Sequence, residues 1–196
     1  MRARLAIQSS GVKVQLREIV LSDKAPEFLK SSPKGKIPVL VARNKVIEES
    51  LDIMHWALDQ ADPEGWMEMP DTGYDWISYN DGPFKAALDH TKYFVRYPNL
   101  NFHSEREEAG KFLHNLNAKI SNSSWMFGRN CSLADMAILP FVRQFSNIDK
   151  DWFASQGWQN LYRWLTAFLN SNRFNSTMAK YEKWLPADPI ISFPGK

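Results

Sequence analysis

Residues 34–56, KGKIPVLVARNKVIEESLDIMHW, decide the fold of this chain. The apolar run from Ile37 to Val41 predicts a buried strand, and Val46 and Ile47 predict a short returning strand. The turn between them covers residues 42–45, where Asn44 is the best turn residue. A helix then begins at Glu49-Ser50, because apolar residues recur at helical spacing at Leu51, Ile53, Met54, Ala57 and Leu58. The stretch therefore predicts a β-hairpin that leads into a helix.

Two features of this stretch are chemical as well as structural. The Ile37–Pro38 bond is a candidate cis peptide, since X-Pro bonds alone adopt the cis form at low cost. A proline cannot donate to a ladder, so it belongs at the first residue of the strand and leaves the carbonyl of Ile37 and the amide of Val39 available to a ligand. Glu49 and Ser50 stand at a helix N-terminus, which favours a carboxylate. Together these groups can hold the backbone and end groups of a small peptide.

The residues before this stretch predict an α/β order. Residues 1–10 form a predicted helix, and residues 12–20 a half-buried strand, since apolar and polar side chains alternate there. Residues 23–31 predict a short helix with Ser22 as a candidate N-cap. The order over residues 1–60 is therefore α-β-α-β-β-α.

The residues after it predict an all-helical region. Residues 61–72, ADPEGWMEMPDT, form a predicted linker because Pro and Gly interrupt any helix. A long helix then runs to about Phe94, bent at Gly82-Pro83. Ser132 and Asp135 form a capping box that opens a buried helix. The remaining predicted helices cover residues 103–120, 151–169 and 174–184, and an extended tail follows.

The hairpin stretch resembles the glutathione-binding half of cytosolic glutathione transferases, and it is most similar to their bacterial omega-like or glutaredoxin-like branch of cysteine type. SLADMAILPFVRQF and NDGPFKAALDHTKY, further along the chain, fit the same branch. The resemblance implies a thioredoxin-like domain over residues 1–60, the linker 61–72, and an all-helical domain over residues 73–196.

The resemblance also implies roles for particular residues. Pro38 would be cis, Ile37 would pair with the cysteinyl backbone of glutathione, and Glu49 and Ser50 would hold its γ-glutamyl group. Lys24 matches a lysine that reaches the glycyl carboxylate. From the residues themselves, Ser50 can equally be only an N-cap, and Lys24 only a solvated charge.

The chain departs from the family at its start. The family fold begins with a central strand followed by a Cys-Pro motif, whereas this sequence begins at MRARL, which matches the helix after that motif. We therefore expect that this sequence lacks its natural first residues, which would carry the first strand and the cysteine, and we identify no catalytic residue in it. A strand donated by another chain and a protein that has lost the chemistry are the alternatives. Cys131, the single cysteine, precedes the Ser132 cap and lies in the wrong domain for the nucleophile.

The acceptor substrate, an electrophile or a disulfide, should meet the first long helix. Its aromatic and polar residues include the candidates Tyr74, Asn80 and Phe84. Large apolar side chains at helical spacing are usually buried, so these positions can equally belong to the core. The family further implies a homodimer.

Composition excludes several other classes of protein. The 24 basic and 22 acidic residues give a net charge of +2 without a long block of one sign, which argues against nucleic acid and membrane surfaces. One cysteine suits a reducing cytoplasm, and no helical His pair suggests a metal site. The family resemblance implies two candidate functions: a glutathione transferase, acting by conjugation or thiol reduction, and a non-catalytic binding protein of the same fold.

Overall fold

Helices and short strands alternate through the first sixty residues, as the apolar patterns predict. The computed structural model describes residues 1–43 and 45–195, so the predicted turn residue Asn44 lies outside the described residues. The elements are α1 (Arg2–Ser10), β1 (Val14–Leu16), α2 (Pro26–Ser31), β2 (Leu40–Ala42), β3 (Lys45–Ile47) and α3 (Ser50–Gln60).

The rest of the chain is helical almost to its last described residues. It contains α4 (Thr72–Tyr79), a π-helical turn (Asn80–Phe84), α5 (Lys85–Lys92), a 3-10 turn (Phe94–Arg96), α6 (Phe102–Lys119), α7 (Leu133–Ser146), α8 (Lys150–Ser155), α9 (Gln159–Leu169), α10 (Asn172–Thr177) and β4 (Ile191–Phe193). A π-helical turn lies at Gly82-Pro83, where a bend was predicted, and it contains Pro83 without ending the helix. None of the helices in the described part of the chain combines the length and apolarity that a membrane span needs.

Contacts between Cα atoms divide the chain into two units. The first comprises Met1–Glu64 together with the segment from Asn172 onward, and the second comprises Gly65–Ser171. The predicted division differs, because it assigned all residues after the linker to one helical domain. The first unit is a thioredoxin-like α/β module and the second is a helical bundle.

Both pairs of strands in the first unit are antiparallel. β2 pairs with β3 as the predicted hairpin, but the buried strand predicted over Ile37–Val41 is wrong, because β2 covers only Leu40–Ala42 and none of its three residues is buried. β1 pairs with β4, with Val14 opposite Phe193 and Leu16 opposite Ile191. Among residues 1–43 and 45–195, β1 and β2 are not neighbours in one sheet. The strand predicted over residues 12–20 is shorter, because only Val14–Leu16 pair with β4. The chain turns further on, at Val20–Asp23, where the Asp23 amide donates to the Val20 carbonyl over 3.0 Å.

The core of the first unit forms where α1 packs against α3. Both helices turn an apolar face inward at this contact. The buried side chains are Leu5, Ala6, Ile53, Met54 and Ala57. The apolar spacing that predicted α3 is therefore confirmed by its buried face.

The core of the second unit contains a buried carboxylate at the start of α7. Asp135 is fully buried and accepts hydrogen bonds from the amides of Met126 and Ser132, both at 2.9 Å. It also accepts from the Ser132 hydroxyl at 2.7 Å and from the Trp164 indole at 2.9 Å. The predicted capping box is confirmed, since the Asp135 amide donates in return to the Ser132 hydroxyl.

This buried carboxylate predicts an unusual pH dependence. Burial raises the pKa of Asp135 above its ordinary value of 3.8, against the opposing effect of the hydrogen bonds that it accepts. The folded state then holds the proton more tightly than the unfolded state. The free energy of unfolding of the wild type, measured relative to Asp135→Asn, should therefore fall as the pH rises from 3.8 through the raised pKa. Denaturant titrations of both proteins from about pH 4 to 8 test this; a difference that rises with pH would contradict it.

Three predictions of helix boundaries are wrong. α2 begins at Pro26 with Ala25 as its N-cap, rather than after Ser22, since proline is suited to the first helical position. The helix predicted over residues 151–169 is split into α8 and α9, because Gly157 adopts a φ of 70°. α10 ends at Thr177, so the predicted helix over residues 174–184 stops early and the chain continues without helix.

Candidate functional site

The loop between α2 and β2 is held in a defined conformation. The Ser32 amide donates to the Phe28 carbonyl and the Gly35 amide donates to the Ser32 carbonyl, both over 2.8 Å. Gly35 has a φ of 61°, which L side chains adopt only with strain. The Ile37–Pro38 peptide that follows is cis, as predicted. The Ile37 side chain is 42% exposed, so this end of the hairpin faces solvent rather than the core.

Lys24 lies against the same loop. Its ammonium nitrogen approaches Gly35 so closely that an added Cβ on Gly35 would lie 3.1 Å from it. A glycine therefore leaves room for Lys24 beside the loop. Lys24 thus lies beside the loop that leads to the cis peptide, and it is only half-exposed.

The two adjacent glutamates at the start of α3 have different environments. Glu48 accepts a hydrogen bond of 2.7 Å from the hydroxyl of the buried Ser32. Glu49 is the N-cap residue of α3, but its carboxylate does not cap the helix. The carboxylate lies 3.7 Å from the Lys36 ammonium, and its side chain is 68% exposed. Glu49 is therefore accessible to a ligand.

Ser50 is the first residue of α3 rather than its N-cap. The interpretation of Ser50 as only an N-cap is therefore wrong, because the backbone is already helical at Ser50, one residue earlier than that role requires. Since the Glu49 side chain does not cap the helix, the first-turn amides beside Ser50 remain suited to a carboxylate.

A cavity of about 600 Å³ opens beside Glu49. Its walls come from β3, from the exposed side of α3 and from the loop before β2; the lining residues are Lys34, Lys45, Val46, Ile47, Glu48, Glu49, Asp52, His55, Trp56 and Asp59. Both signs of charge are present around one half-buried indole, that of Trp56. A zwitterionic ligand suits such a wall better than a purely apolar one does.

Sequence reasoning missed three residues of this region. Lys36 pairs with Glu49, and Ser32 fixes Glu48, yet no local pattern distinguishes either from its neighbours in KSSPKGK. The doubled glutamate in IEES was the available signal, because a helix start needs at most one of the two carboxylates.

The acceptor candidates lie in the second unit and differ in exposure. Tyr74 is 38% exposed. Asn80 and Phe84 are buried in the π-helical turn, where the Phe84 ring centroid lies 4.6 Å from that of Phe112. Phe84 thus belongs to an aromatic cluster of the core, and Tyr74 is the better placed of the three to meet a substrate.

Catalytic and metal-binding groups were also sought. Cys131 is half-exposed and lies in the second unit, immediately before the Ser132 cap. Within residues 1–43 and 45–195, no three His, Cys, Asp or Glu side chains form a group that could hold a metal ion.

Known sequences and structures share this organisation. Residues 1–66 match the sequence model of the glutathione S-transferase N-terminal domain, and residues 99–172 match that of the C-terminal domain. A probable glutathione S-transferase, parA of Nicotiana tabacum, is 28% identical over 74% of this chain and 67% of its own length. Elongation factor 1-gamma of Drosophila melanogaster is 24% identical over 96% of this chain, which spans only 46% of that protein.

The fold is shared with solved structures of low sequence identity. A glutathione transferase family member from Pseudomonas fluorescens, solved with two glutathione bound, has a TM-score of 0.77 at 16% identity, over 90% of this chain and 86% of that one. Poplar glutathione transferase F1 has a TM-score of 0.74 at 19% identity, over 90% of both chains. The two domain matches, which cover more than half of the residues in the expected order, show that this chain belongs to the glutathione S-transferase family.

Proposed function

We propose that this protein binds glutathione at the loop before β2 and the N-terminus of α3. The observation that carries the proposal is the separation of the two glutamates: Ser32 holds Glu48, whereas Glu49 remains exposed at an uncapped helix start. These groups are complementary to the γ-glutamyl end of the ligand, which carries an ammonium and a carboxylate. The Glu49 carboxylate attracts the ligand's ammonium, and the first-turn amides of α3 attract the ligand's carboxylate.

The proposed contacts are assigned to the successive residues of glutathione, which is a tripeptide. Glu49 and Ser50 hold the γ-glutamyl end, and the backbone of Ile37 beside the cis Pro38 pairs with the cysteinyl residue. Lys24, lying against Gly35, receives the glycyl carboxylate. The ligand thus spans from the start of α3 to the loop that Lys24 contacts.

The activity that we propose is transferase chemistry of the omega-like type. In conjugation, the glutathione thiol loses its proton, its sulfur bonds to an electrophilic carbon, and the bond from that carbon to its leaving group, such as a halide, breaks. In thiol reduction, the glutathione thiolate attacks a disulfide, a mixed disulfide with glutathione forms, and the original S–S bond breaks to release the other sulfur as a thiol. Tyr74 is the proposed contact for the electrophile or disulfide. We assign no catalytic residue, and we further propose a cytoplasmic homodimer.

A second candidate is a non-catalytic glutathione-transferase-fold protein. The relation to elongation factor 1-gamma favours it, because that similarity extends over 96% of this chain. Binding without turnover is the behaviour expected of such a protein.

Calorimetric titration with reduced glutathione tests the binding site, and assays with an aromatic halide and with a small disulfide test the chemistry. We expect saturable binding at one site per chain. Binding with turnover supports the transferase, and binding without turnover of either substrate supports the second candidate. Absence of binding would overturn the glutathione site.

A further inference from the structure

The chain returns to the first unit at α10. Residues 180–195, here named the strap, lack helix and end in β4, which pairs with β1. Two of its large side chains, Trp184 and Phe193, are buried. At the far end of the strap, the Lys13 ammonium donates to the Pro194 carbonyl over 2.5 Å. The strap is therefore an integral part of the α/β unit.

The strap also holds the segment between β1 and α2. The Trp184 amide donates to the Glu18 carbonyl over 3.0 Å. The Arg17 guanidinium lies over the Trp184 ring, 4.4 Å from its centroid. One residue earlier, the Lys183 ammonium forms an ion pair with the Asp23 carboxylate. A backbone hydrogen bond, a cation–π contact and an ion pair thus hold residues 17–23 against the strap.

The segment that the strap holds leads directly to Lys24. Residues 20–23 form a tight turn closed by the Asp23 amide, and residues 21–23 of this turn are exposed. A turn with little packing of its own depends on its outside contacts for order. Lys24 follows at once, and its ammonium reaches Gly35 on the opposite loop.

We propose that Lys183 and Trp184 are positioning residues for Lys24 in the glutathione site. This inference rests on the proposed function. The lysine side chain that binds a carboxylate is flexible, and binding restricts its conformational freedom. The affinity therefore depends on how much of that conformational freedom is already lost before the ligand binds. The strap removes part of it by fixing the residue before Lys24.

Charge reversal at Lys183 tests the inference, and Lys180 supplies the matched control. Both lysines lie on the strap, but Lys180 is exposed and Lys183 pairs with Asp23. By calorimetry, Lys183→Glu should weaken glutathione binding about fivefold, since it turns an exposed ion pair into a repulsion. Lys180→Glu, with the same change in net charge, should leave affinity unchanged.

Exchange of the two charges sharpens the test. Asp23→Lys combined with Lys183→Glu should return the affinity to within about twofold of the wild type, because the ion pair is re-formed with its signs exchanged. Asp23→Lys combined with Lys180→Glu has the same net charge and should remain weak. γ-Glutamylcysteine, which lacks the glycyl carboxylate, should bind equally well to the wild type and to Lys183→Glu.

Lys24→Ala separates the two levels of the proposal. If the wild type does not bind glutathione, the proposed function fails and the role of Lys24 fails with it. If Lys24→Ala weakens glutathione binding while Lys183→Glu and Lys180→Glu have the same affinity for glutathione, the role of Lys24 in the site is supported and the positioning role of the strap is overturned. Amide exchange provides a readout without ligand: the Asp23 and Trp184 amides should exchange faster in Lys183→Glu than in Lys180→Glu.

Discussion

Replacement of Asp135 by Ala should lower the free energy of unfolding by about 3–5 kcal/mol, the largest stability effect that we expect for a single substitution here. The carboxylate accepts hydrogen bonds from the Met126 and Ser132 amides and from the Trp164 indole, all within the buried interior. Alanine leaves these donors without an acceptor, and each unsatisfied buried donor costs about 1–3 kcal/mol. Equilibrium unfolding in urea, followed by tryptophan fluorescence, measures the loss.

Ser132→Ala is the control for the Asp135 experiment. It removes one hydroxyl from the same capping box and leaves the carboxylate in place, so it should cost only about 1 kcal/mol. If Asp135→Ala were no more destabilising than Ser132→Ala, the carboxylate would not be the centre of this network. Asp135→Asn should fall between the two, since an amide oxygen can still accept some of the bonds.

Local sequence patterns predicted the elements that carry their own signals. The hairpin of β2 and β3 and the helix α3 follow from short-range periodicity and from the Ile37–Pro38 bond, and all are present. Gly157 was a local signal that the prediction did not use. Its φ of 70° separates α8 from α9, whereas periodicity alone favours one continuous helix.

The strap shows what such patterns cannot supply. Its last residues, PIISFPG, predict an extended segment, which is confirmed by β4, whereas residues 180–184 were predicted as helix and are not helical. Its partner, however, is β1, more than 170 residues earlier in the chain. The alternation of apolar and polar side chains shows which residues of a strand share a face, but it does not show which strand pairs with it. The pairing of β4 with β1 therefore depends on the tertiary fold.

The candidate site shows the same limit at the scale of one side chain. The IEES motif predicted a ligand-binding helix start, but the sequence does not distinguish the environments of its two adjacent glutamates. They differ in the fold because Ser32, on a separate loop, bonds to Glu48 only. Lys36 was likewise not predicted, since its contact with Glu49 crosses from one loop to another.

Glu49→Gln should weaken glutathione binding by about ten- to a hundredfold, the largest binding effect that we expect. The substitution removes the charge that attracts the ligand's ammonium, and charge-assisted hydrogen bonds are about twice as strong as neutral ones. The ion pair with Lys36 is also lost, but both side chains are largely exposed, so the fold should lose less than about 1 kcal/mol. Calorimetry gives the affinity, and urea denaturation confirms that stability is nearly unchanged.

Glu48→Gln is the matched control, because it makes the same chemical change one residue earlier. Its amide oxygen can still accept the hydrogen bond from Ser32, so the loop before β2 should keep its conformation. Glutathione affinity should then stay within about twofold of the wild type. Equal losses from the two variants would mean that general negative charge, rather than the exposed position of Glu49, attracts the ligand. A loss from Glu48→Gln alone would reverse the assignment of the two glutamates. A large loss from Glu49→Gln alone is the result that only an accessible carboxylate at an uncapped helix start explains.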